Sequence, residues 1–158
     1  EVEADKSAMM QALAVVVLSS VAAGIGAISI QGPNAIIMGT IFALISWFIW
    51  AGLTFFIGTK LLPEPQTRSD LGELLRTIGF SSSPGLIRVL GIIPGLQQIV
   101  FLAAGIWMLV AMVIAVRQAL DYQSTWRAVG VCIIGFLIQT LILALLFSIM
   151  GGGAPTPR

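Results

Sequence analysis

The sequence predicts an all-α fold, a polytopic bundle of transmembrane helices, and three observations lead to this prediction. The 158 residues are 58% hydrophobic and only 9% charged, with a mean hydropathy of +1.02, whereas soluble domains carry about 25% charged residues. Residues 35–57 form a run of 23 residues without a charge, which is long enough to cross a hydrocarbon core of about 30 Å as a helix. Further apolar runs leave no room for a second domain, so residues 1–158 are expected to form one membrane domain.

Apolar runs separated by turn sequences divide the chain into five predicted spans. They lie at about residues 8–30, 35–57, 80–96, 97–116 and 128–150. Gly32, Pro33 and Asn34 indicate a tight turn between the first two spans. Pro94 and Gly95 indicate another turn between the third and fourth. The third span is the shortest, and it is expected either to cross the membrane or to form a half-helix.

The longest polar stretch, residues 58–79, is predicted to be a cytoplasmic loop with a short amphipathic helix at about 70–78. Its apolar residues recur at helical spacing and are Leu71, Leu74, Leu75 and Ile78. Ser69 is the expected N-cap and Gly79 the expected C-terminal stop. Such a helix either lies in the plane of the lipid headgroups or packs on the end of the bundle.

The distribution of basic residues predicts five crossings with a cytoplasmic N-terminus. In that arrangement the cytoplasmic side holds Lys6, Lys60, Arg68, Arg76, Arg117 and Arg127. Arg88 would then lie near the inner face, and only Arg158 would lie outside. Four crossings would move Arg117 and Arg127 to the outside, against the cytoplasmic enrichment of Lys and Arg in short loops.

The chain contains almost none of the residues on which enzyme chemistry depends. It has no histidine, which removes the commonest general base and metal ligand. It also has no paired carboxylates in a span, no glycine-rich phosphate loop and no metal-binding motif. A net charge of +1 gives no electrostatic reason to expect a nucleic-acid partner. We therefore predict a protein that is not an enzyme, with no catalytic residues, no cofactor and no metal.

Arg88 is the single charge inside an apolar segment, and such residues are candidates for function. It is a candidate contact for lipid, an ion or a partner protein. The alternative is an anchor at the inner face, in which the side chain reaches lipid phosphate or pairs with Asp70 or Glu73.

Three tryptophans, Trp47, Trp50 and Trp107, fall near the middle of their spans. Tryptophans of interfacial belts lie at the ends of spans instead. These residues are therefore candidate contacts for lipid, a pigment or quinone, or a partner protein, and packing within the bundle is the alternative.

Small residues four positions apart recur along the spans and allow helix backbones to approach closely. The candidate helix-packing positions are Gly24, Gly26, Gly39, Gly91 and Gly95. The pattern itself does not distinguish packing within the chain from packing against another subunit.

The order of motifs after residue 57 resembles that of a known family. A polar loop leads to Leu71–Phe80, the turn Ser81–Gly85 follows, and a short apolar segment ends at Ile93-Pro94. A span containing Ile106-Trp107 and a short link to Thr125–Ala128 complete the pattern. The chain thus resembles the Yip family of Rab/Ypt-interacting multipass membrane proteins, in a short prokaryotic-type version.

This resemblance implies a five-helix bundle in the prokaryotic cytoplasmic membrane, with the N-terminus in the cytoplasm. Eukaryotic members of the family act in membrane traffic with small GTPases, often through a long N-terminal region. This sequence does not include such a region, so a small-GTPase partner is not expected. The resemblance supplies no catalytic residues.

Two functions fit these observations. The first is a non-enzymatic accessory or scaffolding subunit that contacts other membrane-protein subunits and the bilayer through its helices. The alternative is a small transporter or channel component that uses Arg88 and the helix break at Pro94-Gly95.

Overall fold

The computed structural model describes residues 8–149, and the regular elements in that range are helical. The α-helices are α1 (Met9–Gly26), α2 (Ile28–Gln31), α3 (Asn34–Phe56), α4 (Leu71–Ser81), α5 (Gln97–Ala119) and α6 (Thr125–Ile149). A π-helical turn, Ile57–Leu61, extends α3, and a 3₁₀ helix, Ser83–Ile92, follows α4. The predicted all-α bundle is confirmed. Within the described range, four helical segments are each long and apolar enough to cross a membrane: Met9–Gly26, Asn34–Leu61, Gln97–Ala119 and Thr125–Ile142.

Helices α1 and α3 form the predicted antiparallel hairpin. The turn between them contains Gly32 with a φ of 74°, a left-handed conformation that glycine adopts without steric cost. Gly24 faces Ile36 across the hairpin, so that a Cβ on Gly24 would lie 2.8 Å from the Cα of Ile36. The absence of a side chain at this position is what allows the two backbones to come so close.

Helix α4 and the 3₁₀ helix form one continuous rod that runs alongside α1 in the same direction. Gly79 packs on Ala12, and three residues further along the rod the carbonyl of Ser82 accepts a hydrogen bond of 2.8 Å from the hydroxyl of Ser19. Near its end Arg88 lies against Gly26. With rises of about 1.5 and 2.0 Å per residue, the rod is about 36 Å long. The chain therefore passes along the bundle five times.

This rod differs from the predicted third span of 80–96 and from the predicted loop of 58–79. The amphipathic helix expected at 70–78 is present as α4, but Asp70 is its N-cap rather than Ser69. The backbone N–H of Glu73 donates to the Asp70 carboxylate at 2.9 Å, and the Glu73 side chain accepts from the Asp70 N–H at 3.2 Å. The helix continues past Gly79 to Ser81 because its end is buried in the bundle.

The apolar face of α4 packs inside the bundle rather than in a headgroup plane. Leu74 is 0% exposed and Ile78 is 2% exposed. Both belong to a core cluster that also contains Trp47, Val116 and Leu120. Of the two alternatives drawn from the sequence, the structure thus shows packing on the bundle, and this helix is part of the third pass.

The loops at one end of the bundle carry most of the charge. This charged end comprises residues 58–73 and 117–127, which include Lys60, Glu64, Arg68, Asp70, Glu73, Arg117, Asp121 and Arg127. The opposite end, called the far end below, is formed by the turns around Gly32 and Gly95. Helices α5 and α6 form a second antiparallel hairpin whose loop, residues 120–124, lies at the charged end.

Candidate functional site

A cavity of about 680 Å³ lies between α1, α3, the 3₁₀ helix, α5 and α6. Aromatic and aliphatic side chains form most of its wall, and these include Trp47, Trp50, Phe101, Met108 and Met112. Its polar lining residues are Ser19, Ser20, Ser46, Ser82, Arg88, Gln139 and Thr140. Ligand sites in proteins have volumes of about 300–1,000 Å³ and combine apolar walls with a few polar groups, so this cavity has the dimensions of a binding site.

Arg88 lies at the edge of the cavity toward the far end of the bundle. Its backbone carbonyl is pressed against Gly26, the last residue of α1, and its guanidinium lies 5.5 Å from the ring centroid of Phe101. The Nε atom is buried and has no hydrogen-bond partner among the described residues. Within residues 8–149, Arg88 forms no ion pair.

The structure separates Arg88 from the two carboxylates that the sequence offered as its ion-pair partners. Asp70 and Glu73, its proposed partners, cap α4 at the charged end, whereas Arg88 lies near the far end of the same rod. The reason is that α4 belongs to the third pass, so Arg88 comes near the end of that pass and not one turn after its start.

Gln139 is a polar cavity residue that the sequence did not single out as a site. Its amide oxygen is buried and without a hydrogen-bond partner among the described residues. Gln139 lines the same cavity as Arg88 although the two lie 51 positions apart in the chain. A signal was available, since Gln139 is the single amide side chain within α6.

A smaller cavity of about 300 Å³ adjoins the first one. The two share the residues Ser20, Ala43, Ser46, Arg88 and Phe101. The smaller cavity extends to Gln31 in the turn between α1 and α3. Arg88 thus stands where a smaller passage, lined by Gln31, Ser20 and Ser46 among apolar residues, meets the larger and more apolar chamber. The two cavities together are called the groove below.

The central tryptophans lie in two different surroundings. Trp47 is 5% exposed and its indole N–H donates to the carbonyl of Leu75 at 3.0 Å. The indole N–H of Trp50 lies 3.1 Å from the sulfur of Met112. Both tryptophans line the groove, whereas Trp107 is 58% exposed and points away from the bundle.

Three of the five candidate packing glycines lie at close backbone contacts. A Cβ on Gly24 would meet Ile36, one on Gly26 would overlap the carbonyl oxygen of Arg88, and one on Gly91 would lie 2.9 Å from Phe101. These contacts hold α1 against α3 and against the 3₁₀ helix.

The other two candidate glycines do not serve close packing within residues 8–149. No atom lies within 4 Å of the Cβ position of Gly39, which borders the smaller cavity. The same is true of Gly95, whose φ of 83° instead shows that it is needed for the turn. At these two positions the spacing of small residues therefore brings no close packing within residues 8–149, and packing against another subunit stays a prediction.

Tyr122 connects the two loops at the charged end. It is 4% exposed, and its hydroxyl lies 3.0 Å from the carbonyl oxygen of Gly58 and 2.8 Å from that of Leu62. Burial raises its pKa to about 12, an effect that Arg127 opposes and Glu64 reinforces. Tyr122 is therefore a neutral hydrogen-bond donor at any physiological pH.

Glu64 joins the same two loops from the other side. Its carboxylate accepts a hydrogen bond of 2.9 Å from the backbone N–H of Gln123, another from Gln66, and lies 3.2 Å from the Nε of Arg127. The backbone hydrogen bond from Gln123 is the main cause that lowers the pKa of Glu64. Because the Arg127 side chain is 47% exposed, the ion pair alone contributes little to stability, and the hydrogen bonds matter most.

Protonation of Glu64 is expected to loosen the charged end. Because its folded-state pKa lies below the ordinary value of 4.5, its contribution to stability is complete above that value and is lost as the pH falls through the folded-state pKa. The melting temperature in detergent should fall between about pH 5 and pH 3 more steeply for the wild type than for Glu64→Gln. Asp121→Asn is the matched control, since the Asp121 side chain forms no hydrogen bond within residues 8–149. Equal acid profiles for wild type and Glu64→Gln would contradict this role.

Among the described residues, no group of three or more His, Cys, Asp or Glu side chains is arranged to hold a metal ion. The polar side chains described above thus lie in two places, the groove near the far end and the loop contacts at the charged end.

Comparison with known proteins places the chain in a family. The family model for the Yip1 domain matches residues 4–152. Searches among curated proteins and among solved structures found no match. Since the family model covers nearly the whole sequence, and the structure is a bundle of apolar helices, the protein belongs to the Yip family of multi-pass integral membrane proteins.

Proposed function

We propose that the protein is a non-enzymatic accessory or scaffolding subunit of a larger membrane assembly, acting through contacts between helices. The observation that supports this proposal is the outward face of α3. The buried residues of this 23-residue helix are Trp47, Ala51 and Thr54, so most of its surface is uncovered within residues 8–149. A helix of this kind has ample surface for a neighbouring subunit.

One position on this face distinguishes a protein contact from plain exposure to lipid. Ile45, Phe48 and Phe56 are each more than 50% exposed, and Gly52 lies on the same face between the two phenylalanines. No atom lies within 4 Å of the Cβ position of Gly52. A small residue between bulky ones forms a notch into which a partner helix packs closely, whereas lipid chains need no such notch.

The test is isolation of the tagged protein from its own membrane in mild detergent, followed by native electrophoresis and mass spectrometry. We expect a stoichiometric complex with another membrane protein. Gly52→Trp should release the partner without lowering the melting temperature of the isolated chain, because the notch is open. Leu137→Trp is the matched control, since Leu137 is 62% exposed on α6 and does not line the groove. Migration of the wild type as a monomer or homo-oligomer would overturn the proposal.

The charged end is proposed to face the cytoplasm of a prokaryotic cell, with the start of α1 on the same side. The support is that the loops of this end carry Lys60, Arg68, Arg117 and Arg127, while the far end has Arg88 as its single basic residue within residues 8–149. A cysteine introduced at Arg68 should react with an impermeant reagent in inverted vesicles. Labelling of intact cells instead would reverse the orientation.

A second candidate function is a small transporter or channel component, and the groove is the observation that favours it. The predicted helix break at Pro94-Gly95 gives no support, because it forms the turn between the 3₁₀ helix and α5 and does not line the groove. Arg88 remains as the candidate residue. Solute flux in liposomes that contain the purified protein alone would support this function, and a loss of that flux in Arg88→Gln would assign it to the groove.

A further inference from the structure

We propose that the groove holds one acidic membrane lipid, with its anionic headgroup on Arg88 and an acyl chain in the larger cavity. This inference does not depend on the accessory role, since the notch at Gly52 and the groove lie on different faces of α3. It is argued from the charge of Arg88, from the shape of the groove and from the polar atoms in its wall.

The first argument is that Arg88 has no counter-ion within residues 8–149. Each carboxylate within residues 8–149, namely Glu64, Asp70, Glu73 and Asp121, lies at the charged end, away from Arg88. A cation in apolar surroundings is costly unless it is paired, and the ring of Phe101 supplies a weak partner at 5.5 Å. The phosphate or carboxylate of an acidic lipid supplies the missing charge and hydrogen-bond acceptors.

The second argument is the arrangement of polar and apolar surfaces along the groove. The smaller cavity leads from Gln31 at the far end to Arg88 and contains hydroxyl groups from Ser20 and Ser46. Beyond Arg88 the larger cavity continues past Phe101 to a wall that includes Trp50 and Met112. An entrance that is more polar than the chamber behind it matches an amphiphile that enters from the headgroup level.

The third argument is the hydrogen-bonding groups near Arg88, where the hydroxyl-bearing residues Ser20 and Ser46 line both cavities. A headgroup with hydroxyl groups of its own can exchange hydrogen bonds with them. An anionic lipid with a glycerol headgroup, such as phosphatidylglycerol, carries both the charge for Arg88 and such hydroxyl groups. It is therefore the probe of choice.

The test uses the fluorescence of Trp47 and Trp50, which line the groove. In the full-length protein, Trp107 and Trp126 are replaced by phenylalanine because they are 58% and 84% exposed and would report bulk lipid. The protein is reconstituted in nanodiscs of phosphatidylcholine with increasing amounts of phosphatidylglycerol brominated on its acyl chains. We expect quenching at a mole fraction about tenfold lower for brominated phosphatidylglycerol than for brominated phosphatidylcholine. The reason is that hydrogen bonds to a charged group contribute enough free energy for a tenfold difference in affinity.

Two pairs of variants give the test its controls. Arg88→Gln should abolish the preference for the acidic lipid, whereas Arg68→Gln removes the same charge from an exposed loop and should leave it unchanged. Gly105→Leu should block the larger cavity, because no atom lies within 4 Å of the Cβ position of Gly105 and the residue lines that cavity. Gly52→Leu fills an open position on the outward face of α3 and should not affect quenching.

Equal quenching by the two brominated lipids, or an unchanged preference in Arg88→Gln, would overturn the proposal. A polypeptide that co-purifies with the wild type and is lost from Gly105→Leu, with no lipid retained, would identify a partner helix as the occupant and also overturn it. Failure of the accessory role is recognised separately, since Arg88→Gln should leave any complex that depends on Gly52 intact.

Discussion

Among glycine-to-alanine substitutions within residues 8–149, Gly26→Ala is expected to destabilise the bundle most. A Cβ at this position would overlap the backbone carbonyl oxygen of Arg88, and the ring of Phe101 closes the remaining space at 3.1 Å. Because a backbone atom cannot rotate away as a side chain can, α1 and the 3₁₀ helix must separate. Overpacking costs about 1–3 kcal/mol and occasionally more, and we expect the upper part of that range. The measurement is the free energy of unfolding in detergent.

Gly105→Ala is the matched control for this substitution. Gly105 is also a helical glycine of a pass, but no atom lies within 4 Å of its Cβ position. Alanine is a better helix former than glycine by about 1 kcal/mol, so this variant should be as stable as the wild type or slightly more stable. If Gly26→Ala behaved in the same way, the close contact between α1 and the 3₁₀ helix would be refuted.

Trp47→Ala is expected to detach α4 from α3. Trp47 is 5% exposed, packs in the core cluster and donates a hydrogen bond of 3.0 Å to the carbonyl of Leu75. Truncation of a buried tryptophan costs about 3–5 kcal/mol. We expect the lower part of this range, about 3 kcal/mol, because apolar surface gains less from burial when the alternative is lipid rather than water. Trp47→Phe should cost about 1 kcal/mol, the net value of the lost hydrogen bond.

Trp107→Ala separates the effect of position from that of residue type. Trp107 is 58% exposed, so its removal leaves no cavity inside the bundle. The free energy of unfolding of Trp107→Ala should lie within about 0.5 kcal/mol of that of the wild type. Equal losses for Trp47→Ala and Trp107→Ala would contradict the inward and outward positions of these two side chains.

The positions of the long helices follow closely from the sequence, as Asn34–Phe56 illustrates beside the predicted span of 35–57. An uncharged run of this length has few alternatives, because each backbone polar group must find its hydrogen bond within the segment when water is absent. The breaks after α1 and before α5 likewise follow from Gly32 and Gly95, which adopt positive φ angles.

The third pass was not predictable in the same way. Its first half carries Glu73 and Arg76, and its middle carries the serines at 81–83, so its hydropathy resembles that of a loop. It is nevertheless interior, because Leu74 and Ile78 are covered by other helices and Gly79 packs directly on Ala12. Hydropathy measures the transfer of a lone segment into lipid, whereas this segment is surrounded by protein.

The candidate site likewise combines features that the sequence predicts with features that depend on the tertiary structure. Arg88 is conspicuous in the sequence as a charge in an apolar segment, but its depth depends on where the third pass begins. Gln139 is inconspicuous, and it joins Arg88 around one cavity only because five passes meet there. Likewise, identical spacing signals at Gly26 and Gly39 gave a close contact at one position and an open cavity wall at the other.

The sequence by itself determined that this protein lies in a lipid bilayer, that it is helical, which family it belongs to, and the approximate bounds of its long helices. These properties depend on the composition and local order of residues. Transfer into lipid and backbone hydrogen bonding act on each segment separately, so a segment's own sequence decides them. The tertiary structure alone decided the composite third pass, the depth of Arg88 and the groove beside it. These depend on which faces of distant helices meet, and in a membrane that choice is made by side-chain packing rather than by hydropathy.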